Sequence, residues 1–260
     1  MRITKYLFPC LAFALFSCSQ EDGMTQTDPV SKAMTVKTEI TGSSRAMITD
    51  TRFPEGSSLG ITVVENKDGV LSYDGLTDGY WNIQYKSKGE YPDQTWTAVD
   101  KPIYLSSTDG RAVAYYPYDE ENGGDYRTLP IQANGQTDYM YSGWFKPLNN
   151  LNSEALFAMK HAMSGIRISI IRGSYTGPGI VSEIRLASTA LGITGKLDAS
   201  TGAVTEVGEG QINTYMMQPV FTPFEVIADD YTSTLLMGVP VPGIKDDVVI
   251  SVKVDDRMYK

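Results

Sequence analysis

The stretch EALFAMKHAMSGIRISIIRG, residues 154–173, decides the fold class of this chain. Up to Met163 its apolar content can be read as a helix. Beyond Gly165, IRISII alternates apolar and polar residues, the period of a half-buried strand. Period alone does not separate a short buried helix from a strand, and the first half is read as strand as well. With that choice the chain contains no convincing amphipathic helix.

Working outward, strand signals recur at short intervals. AMTVKTEI (33–40) alternates and begins a first strand. LGITVVE (59–65) is β-branched and runs into NKDG, a turn carrying Gly69. YWNIQYK (80–86) sets Tyr80, Asn82, Gln84 and Lys86 on one face and Trp81, Ile83 and Tyr85 on the other. QTWTAVD and KPIYLS follow, with Pro102 as a strand boundary or edge residue. RAVAYYPY (111–118) is apolar and aromatic on both faces and stops at Pro117, and DYMYS (138–142) is short. The second half repeats the style. IVSEIRLA (180–187) precedes two strands joined by the turn DASTG, and TYMMQPVF, STLLMGVPVP and DVVISVKV (247–254) complete the series. Many short strands with turn residues between them specify an all-β chain of sandwich or barrel type. The length suits two sandwiches in tandem, joined between residues 151 and 165.

Composition narrows the chemistry. A net charge of −9 argues against nucleic acid as a partner, since its binders present a basic face. One histidine, His161, bounds acid–base options, and its place inside a strand-like block makes it a structural residue. No HExxH, CxxC or paired-histidine spacing occurs, so no metal or other cofactor is expected and no enzyme is read. DEENGGD (119–125) departs from an EF-hand loop at Glu121 and Gly123 and reads as an acidic turn. The pairs Asp229 and Asp230, Asp246 and Asp247, and Asp255 and Asp256 fall at strand ends, where they blunt edges or solvate turns. Tyr115, Tyr116, Tyr118, Tyr139, Tyr141 and Trp144 cluster in sequence. They read as core and cross-strand aromatics, with a sugar-stacking platform as the competing role.

The beginning of the chain is a leader. Arg2 and Lys5 precede the apolar block LFPCLAFALF (7–16), which is far too short for a membrane span. Residues 15–18, LFSC, resemble the lipobox of bacterial lipoproteins, in which the cysteine becomes the first residue and carries the lipid. Cys18 is therefore the candidate lipidation site, and the competing reading is an ordinary signal peptide with an incidental thiol. Cys10 would leave with the leader, so no disulfide can staple the mature chain and its stability must come from a core. The acidic SQEDG that follows resembles the tether that directs Bacteroidales lipoproteins to the outer face of the outer membrane. Up to about residue 44 the sequence is polar and reads as a flexible tether.

Taken together, the motifs resemble the fimbrillin family, the lipoprotein pilins and tip subunits of Bacteroidales fimbriae. SSRAMITDTRFPEGSSLGITV is similar to that family's arginine–alanine site followed by F-x-x-G-x-x-x-G and the first core strand. PIYLSSTDGRAVAYYPY is similar to its strand ending in AYYPY, and DYMYS to its D-x-M-x-S/A segment. FAMKHAMSGIRISI resembles its F-x-H-x-x-S/A strand, and GKLDASTGAVT its D-x-x-T-G-x-V hairpin.

The resemblance implies two tandem transthyretin-like Greek-key β-sandwich domains, export as a lipoprotein, and polymerisation by strand exchange. It divides the chain into a leader (1–17), a tether or propeptide holding a first strand (18–45), an N-terminal sandwich (46–160) and a C-terminal sandwich (161–260). In the family a protease cuts after an arginine near the end of the tether and removes the lipidated first strand, and a strand of the next subunit fills the gap. By the SRA match the cut falls between Arg45 and Ala46, with Arg52 as the competing arginine and an uncut, solvated linker as the alternative. The family's C-terminal domain normally continues with a further hairpin, so the C-terminal sandwich is expected to be incomplete or short here. The implied role is a shaft, tip or anchor subunit of an adhesive fimbria. Its partners would be other subunits, the outer membrane through lipid on Cys18, and a host or bacterial surface ligand. A stand-alone glycan-binding surface lipoprotein is the alternative.

Overall fold

The computed structural model describes residues 31–41, 52–67, 70–71, 79–90, 92–122, 125–133, 137–209, 212–213, 224–225 and 231–260. Its first strands are β1 (Lys32–Ala33), β2 (Thr35–Ile40), β3 (Ser58–Lys67), β4 (Val70–Leu71), β5 (Gly79–Lys88) and β6 (Thr95–Ala98). There follow β7 (Tyr104–Leu105), β8 (Gly110–Tyr116), β9 (Leu129–Gln132), β10 (Met140–Tyr141), β11 (Phe145–Leu148) and β12 (Glu154–His161). The second half holds β13 (Ser164–Ile171), β14 (Ile180–Ala187), β15 (Leu191–Gly192), β16 (Thr194–Leu197) and β17 (Val204–Gly208). β18 (Ile212–Asn213), β19 (Phe224–Glu225), β20 (Tyr231–Pro240), β21 (Val249–Val254) and β22 (Arg257–Tyr259) complete it. Among the described residues the only helical element is a 3-10 turn at Glu120–Asn122 within the acidic DEENGGD stretch. The chain is all-β, and the stretch that opened the question is two strands, β12 and β13.

The largest sheet runs β2-β12-β10-β8-β3-β5-β6, with β11 beside β8 and β4 beside β3. Its pairings are antiparallel except the first, where β2 lies parallel to β12 in the register Thr35↔Glu154 to Ile40↔Met159. In β12 the alternation is strict: Ala155, Phe157 and Met159 are buried, and Leu156 on the opposite face is exposed. A helix would scatter those three residues around its axis, whereas a strand puts them on one face.

Strand β8 explains why its sequence is apolar on both faces. Ala112 and Ala114 pack into one core with Phe53, Leu59, Ile61, Trp96 and Phe157. Val113 and Tyr115 pack into a second core with Leu129, Ile184, Leu197, Leu236 and Val239. The second core therefore draws on residues from both halves of the sequence, and β9 pairs with β16 in the small sheet β17-β16-β9. Two further sheets, β13-β20-β15 and β18-β14-β21-β22 with β19 beside β14, complete that side.

One sequence expectation changes, and three strands are added. The even alternation over residues 80–86 is broken. Asn82 sits at φ 50° where the β3–β5 register slips between Ile61 and Val63, so residues 80–84 are all partly buried rather than sorted by face. A bulge of this kind leaves one residue unpaired and turns the strand. A further strand, β22, pairs with β21 beyond Val254. Asp255 and Asp256, expected at a strand end as edge or turn residues, both adopt positive φ (43° and 64°) and make the turn of this hairpin. Strands β9 and β11, each carrying a proline, were also not anticipated. TYMMQPVF, Asp229 and Asp230 lie outside the described residues.

Candidate functional site

The most informative feature is where the first strand sits. The sequence TVKTEI alternates outward Thr35, Lys37 and Glu39 with inward Val36, Thr38 and Ile40. Met34 and Val36 are buried in the first core, and Ile40 packs against it. Lys37 forms an exposed ion pair with Glu154 of β12, N–O 3.0 Å. The strand is fixed at both ends by backbone bonds: Thr35 N–H to the Ser153 carbonyl (2.9 Å) and Thr41 N–H to the Met159 carbonyl (2.8 Å). Just before it, β1 pairs with β7, and Met34 N–H bonds the Ile103 carbonyl at 2.8 Å. One short segment thus spans two sheets and covers the core between them. It is an edge strand held on one side by a parallel ladder, which is slightly weaker per residue than an antiparallel one. It is thus a core-forming element on a sheet margin.

A polar contact crosses the same core. Strands β2 and β6 are the two ends of the large sheet's path, and Trp96 Nε1–H of β6 donates to Thr38 Oγ1 at 3.1 Å. Trp96 stands edge-on to Phe53, ring centroids 5.4 Å apart at 80°. Sequence reading missed this pair, although the alternation of Thr38 with Val36 and Ile40 carries the signal that its hydroxyl points inward.

The remaining motif residues meet one another instead of forming a reactive centre. His161 Nδ1 donates to the Asp138 carboxylate, 2.8 and 2.9 Å from its two oxygens, and so ties β12 to the segment entering β10. Ser142 Oγ accepts from the Ala114 N–H at 2.8 Å. Tyr115 Oη lies 2.7 Å from Asn82 Oδ1, accepts from the Asp119 N–H at 3.1 Å, and is pushed up to about 12, chiefly by burial. Its ring covers Gly60, where a β-carbon would stand 2.1 Å from the ring. The turn of DASTG closes on Asp198, which accepts from Ser200 N–H (2.8 Å) and Ser200 Oγ (2.6 Å). Gly202 ends that turn at φ 77°, with the Tyr141 ring 2.1 Å from where its β-carbon would be. Glycine is required there twice over, for backbone and for space.

The aromatic cluster divides. Tyr139, Tyr141 and Trp144 pack against the second core, with Trp144 edge-on to Tyr126 (5.1 Å) and under the Arg111 guanidinium (4.0 Å). Tyr116 packs against the first core and, with Tyr118, Tyr139, Gln132, Lys196 and Glu206, lines a cleft of about 590 Å³. Lys196 and Glu206 pair at 2.7 Å. Among the described residues no three His, Cys, Asp or Glu side chains converge as metal ligands. Among the described strand-end carboxylates, Asp255 has a structural role. Asp255 accepts from Gly179 N–H (2.8 Å), Ile180 N–H (2.9 Å) and Tyr175 Oη (2.8 Å), and these donors, Gly179 foremost, hold its carboxyl below the usual range.

The sequence-predicted site residues Cys18, Arg45 and Ala46 lie outside the described residues. The chain resumes at Arg52, and Phe53 is already part of the core.

Comparison with known proteins matches residues 44–260 to the family model described as Fimbrillin-like. A crystal structure of a candidate cell adhesion protein from Bacteroides uniformis is similar at a TM-score of 0.60 and 15% identity, covering 87% of this chain and 82% of that one. A second candidate cell adhesion protein, from Bacteroides ovatus, is similar at 0.58 and 18% identity over 88% and 85% of the two chains. At these identities the likeness is one of fold. No curated protein matches the chain.

Proposed function

The chain belongs to the fimbrillin-like family, and on that premise we propose that it is a subunit of a cell-surface fimbria that contributes to adhesion. It is exported as an outer-membrane lipoprotein through Cys18, cut between Arg45 and Ala46, and assembled by strand exchange with other subunits. Its role is structural and not catalytic, and the division into leader, tether and two sandwich domains belongs to the same proposal.

One observation carries it: β2 completes the first core from a sheet margin and precedes Arg45 in the sequence. Removing it would uncover the apolar groups now against Met34 and Val36 and the unpaired backbone edge of β12. Such a groove is filled at low cost by another extended strand, with main-chain bonds supplying affinity and alternate side chains supplying selectivity. The family match begins at residue 44, next to the proposed cut.

The test is Arg45→Ala expressed in cells. The variant is expected to stay a monomeric lipoprotein, while the unaltered protein begins at Ala46 and runs as a detergent-resistant ladder. A cut chain that remains a monomer without partners would make residues 18–45 only a linker.

The tyrosine-lined cleft favours one secondary reading, a glycan-binding surface protein. Retardation in affinity gels containing polysaccharide, lost in Tyr118→Ala, would favour that role over the fimbrial one; no retardation is expected.

A further inference from the structure

We infer that Trp96 is the residue that selects which strand the first core accepts, requiring a hydroxyl at the place Thr38 now occupies. The inference rests on the strand-exchange reading and names the chemistry of the partner at that site. The inward face of β2 is apolar at Met34, Val36 and Ile40 and polar at Thr38 alone. That polar group meets Trp96 Nε1–H, offered from the opposite end of the sheet, at 3.1 Å. Trp96 is only 7% exposed, so water does not readily replace a lost acceptor.

The donor stays in place when the strand goes. Its ring is set by Phe53, whose carbonyl accepts from Gln94 Nε2 at 2.8 Å and whose ring also stands edge-on to Tyr116 at 5.1 Å. Phe53, Gln94, Trp96 and Tyr116 all follow Arg45 in the chain and remain after a cut there. An incoming strand with valine or leucine at this position would bury an indole N–H without a partner. An unmade bond of that kind is costlier than the net gain of a made one, and the difference corresponds to about tenfold or more in affinity. The accepted partner is therefore an extended segment that is apolar at two alternate positions, carries serine or threonine at the third, and is β-branched or apolar at the fourth. A purely apolar strand is rejected although its shape fits. An N–H that discriminates by being left unpaired acts against wrong partners as much as for the right one.

The test uses full-length protein nicked by an arginine-specific protease and offers labelled peptides of sequence SKAMTVKTEIT (residues 31–41). Three peptides are compared: the native one, Thr38→Ser and Thr38→Val. Valine is close to threonine in shape and lacks only the acceptor. The native and serine peptides are expected to bind similarly, and the valine peptide about tenfold or more weaker. On a Trp96→Phe protein the gap should close. If that variant does not fold, the serine–valine difference on the unaltered protein decides. Equal binding of all three peptides would overturn the role of Trp96 while leaving strand exchange intact. Binding of none, the native one included, would overturn both.

Discussion

The two margins of the molecule are built from similar alternating sequences and are held in different ways. At the N-terminal margin, β2 turns Val36 into the core that also holds Trp96, Phe53 and Phe157, and this margin is completed by apolar burial and a backbone ladder. At the C-terminal margin, β21 has Ile250, Val252 and Val254 only partly buried, and Met258 and Tyr259 of β22 are exposed. There the hairpin is fastened by a polar clamp, in which the Asp255 carboxylate collects two backbone N–H groups and the Tyr175 hydroxyl. Apolar burial and main-chain pairing are indifferent to pH and can be supplied by another extended strand that meets the Trp96 N–H, so the first margin suits exchange. A clamp of directed hydrogen bonds to one carboxylate depends on that carboxylate and is sensitive to pH, so the second suits permanent attachment.

The largest effect is expected at Phe157, fully buried on the strand that pairs with β2. Phe157→Ala should cost about 3–5 kcal/mol, read from the urea midpoint, because it removes a large side chain and leaves a cavity. A loss below about 1 kcal/mol would mean that the first core is not the sealed one.

Next comes Tyr115 of the second core, whose hydroxyl binds Asn82 and Asp119. Burial raises it from 10.0 to about 12, which means the unfolded chain ionises first. Stability present below pH 10 should therefore fall by roughly 2–3 kcal/mol as pH climbs to about 12. Tyr115→Phe should be less stable at neutral pH and show a flatter alkaline limb. An unchanged limb would place the alkaline sensitivity elsewhere.

Asp255 should give a smaller, local effect of opposite sense. Its carboxyl is held low in the folded state, chiefly by the Gly179 N–H, so the clamp contributes above the ordinary carboxylate pKa and is lost as pH falls through the depressed one. Hydrogen-exchange protection factors in residues 249–259 should fall in acid and in Asp255→Asn, while residues 154–161 keep theirs. Uniform loss across both segments would erase the distinction between the margins. The smallest effect is expected for Met258→Ala, within about 0.5 kcal/mol, since this exposed side chain gives up little burial.

Much of this was legible in the sequence. The alternation of residues 164–171 and the two-faced apolar character of residues 111–118 follow from strand geometry, and the structure gives β8 one core on each side. The motifs of DYMYS, FAMKHAMSG and DASTG proved to be one packing network, through Asp138–His161 and Tyr141–Gly202. What stayed hidden was non-local. Trp96 and Thr38 stand far apart in sequence and meet only because the ends of the sheet approach across the core. The bulge at Asn82 depends on a slip in a partner strand, and the strand that follows the Asp255–Asp256 turn depends on positive φ at two non-glycine residues. The parallel sense of β2 against β12 is likewise set by the path of the chain and not by either strand's composition.

On the proposed function, β2 is the strand that leaves on assembly. The most direct measurement is the N-terminal sequence and intact mass of this polypeptide recovered from the detergent-resistant, surface-assembled fraction of cells. The expected result is a chain beginning at Ala46, with Thr35–Ile40 absent and the same segment present, with Cys18 acylated, only in the unassembled membrane fraction. Assembled polypeptide that still carries residues 35–40 would contradict it.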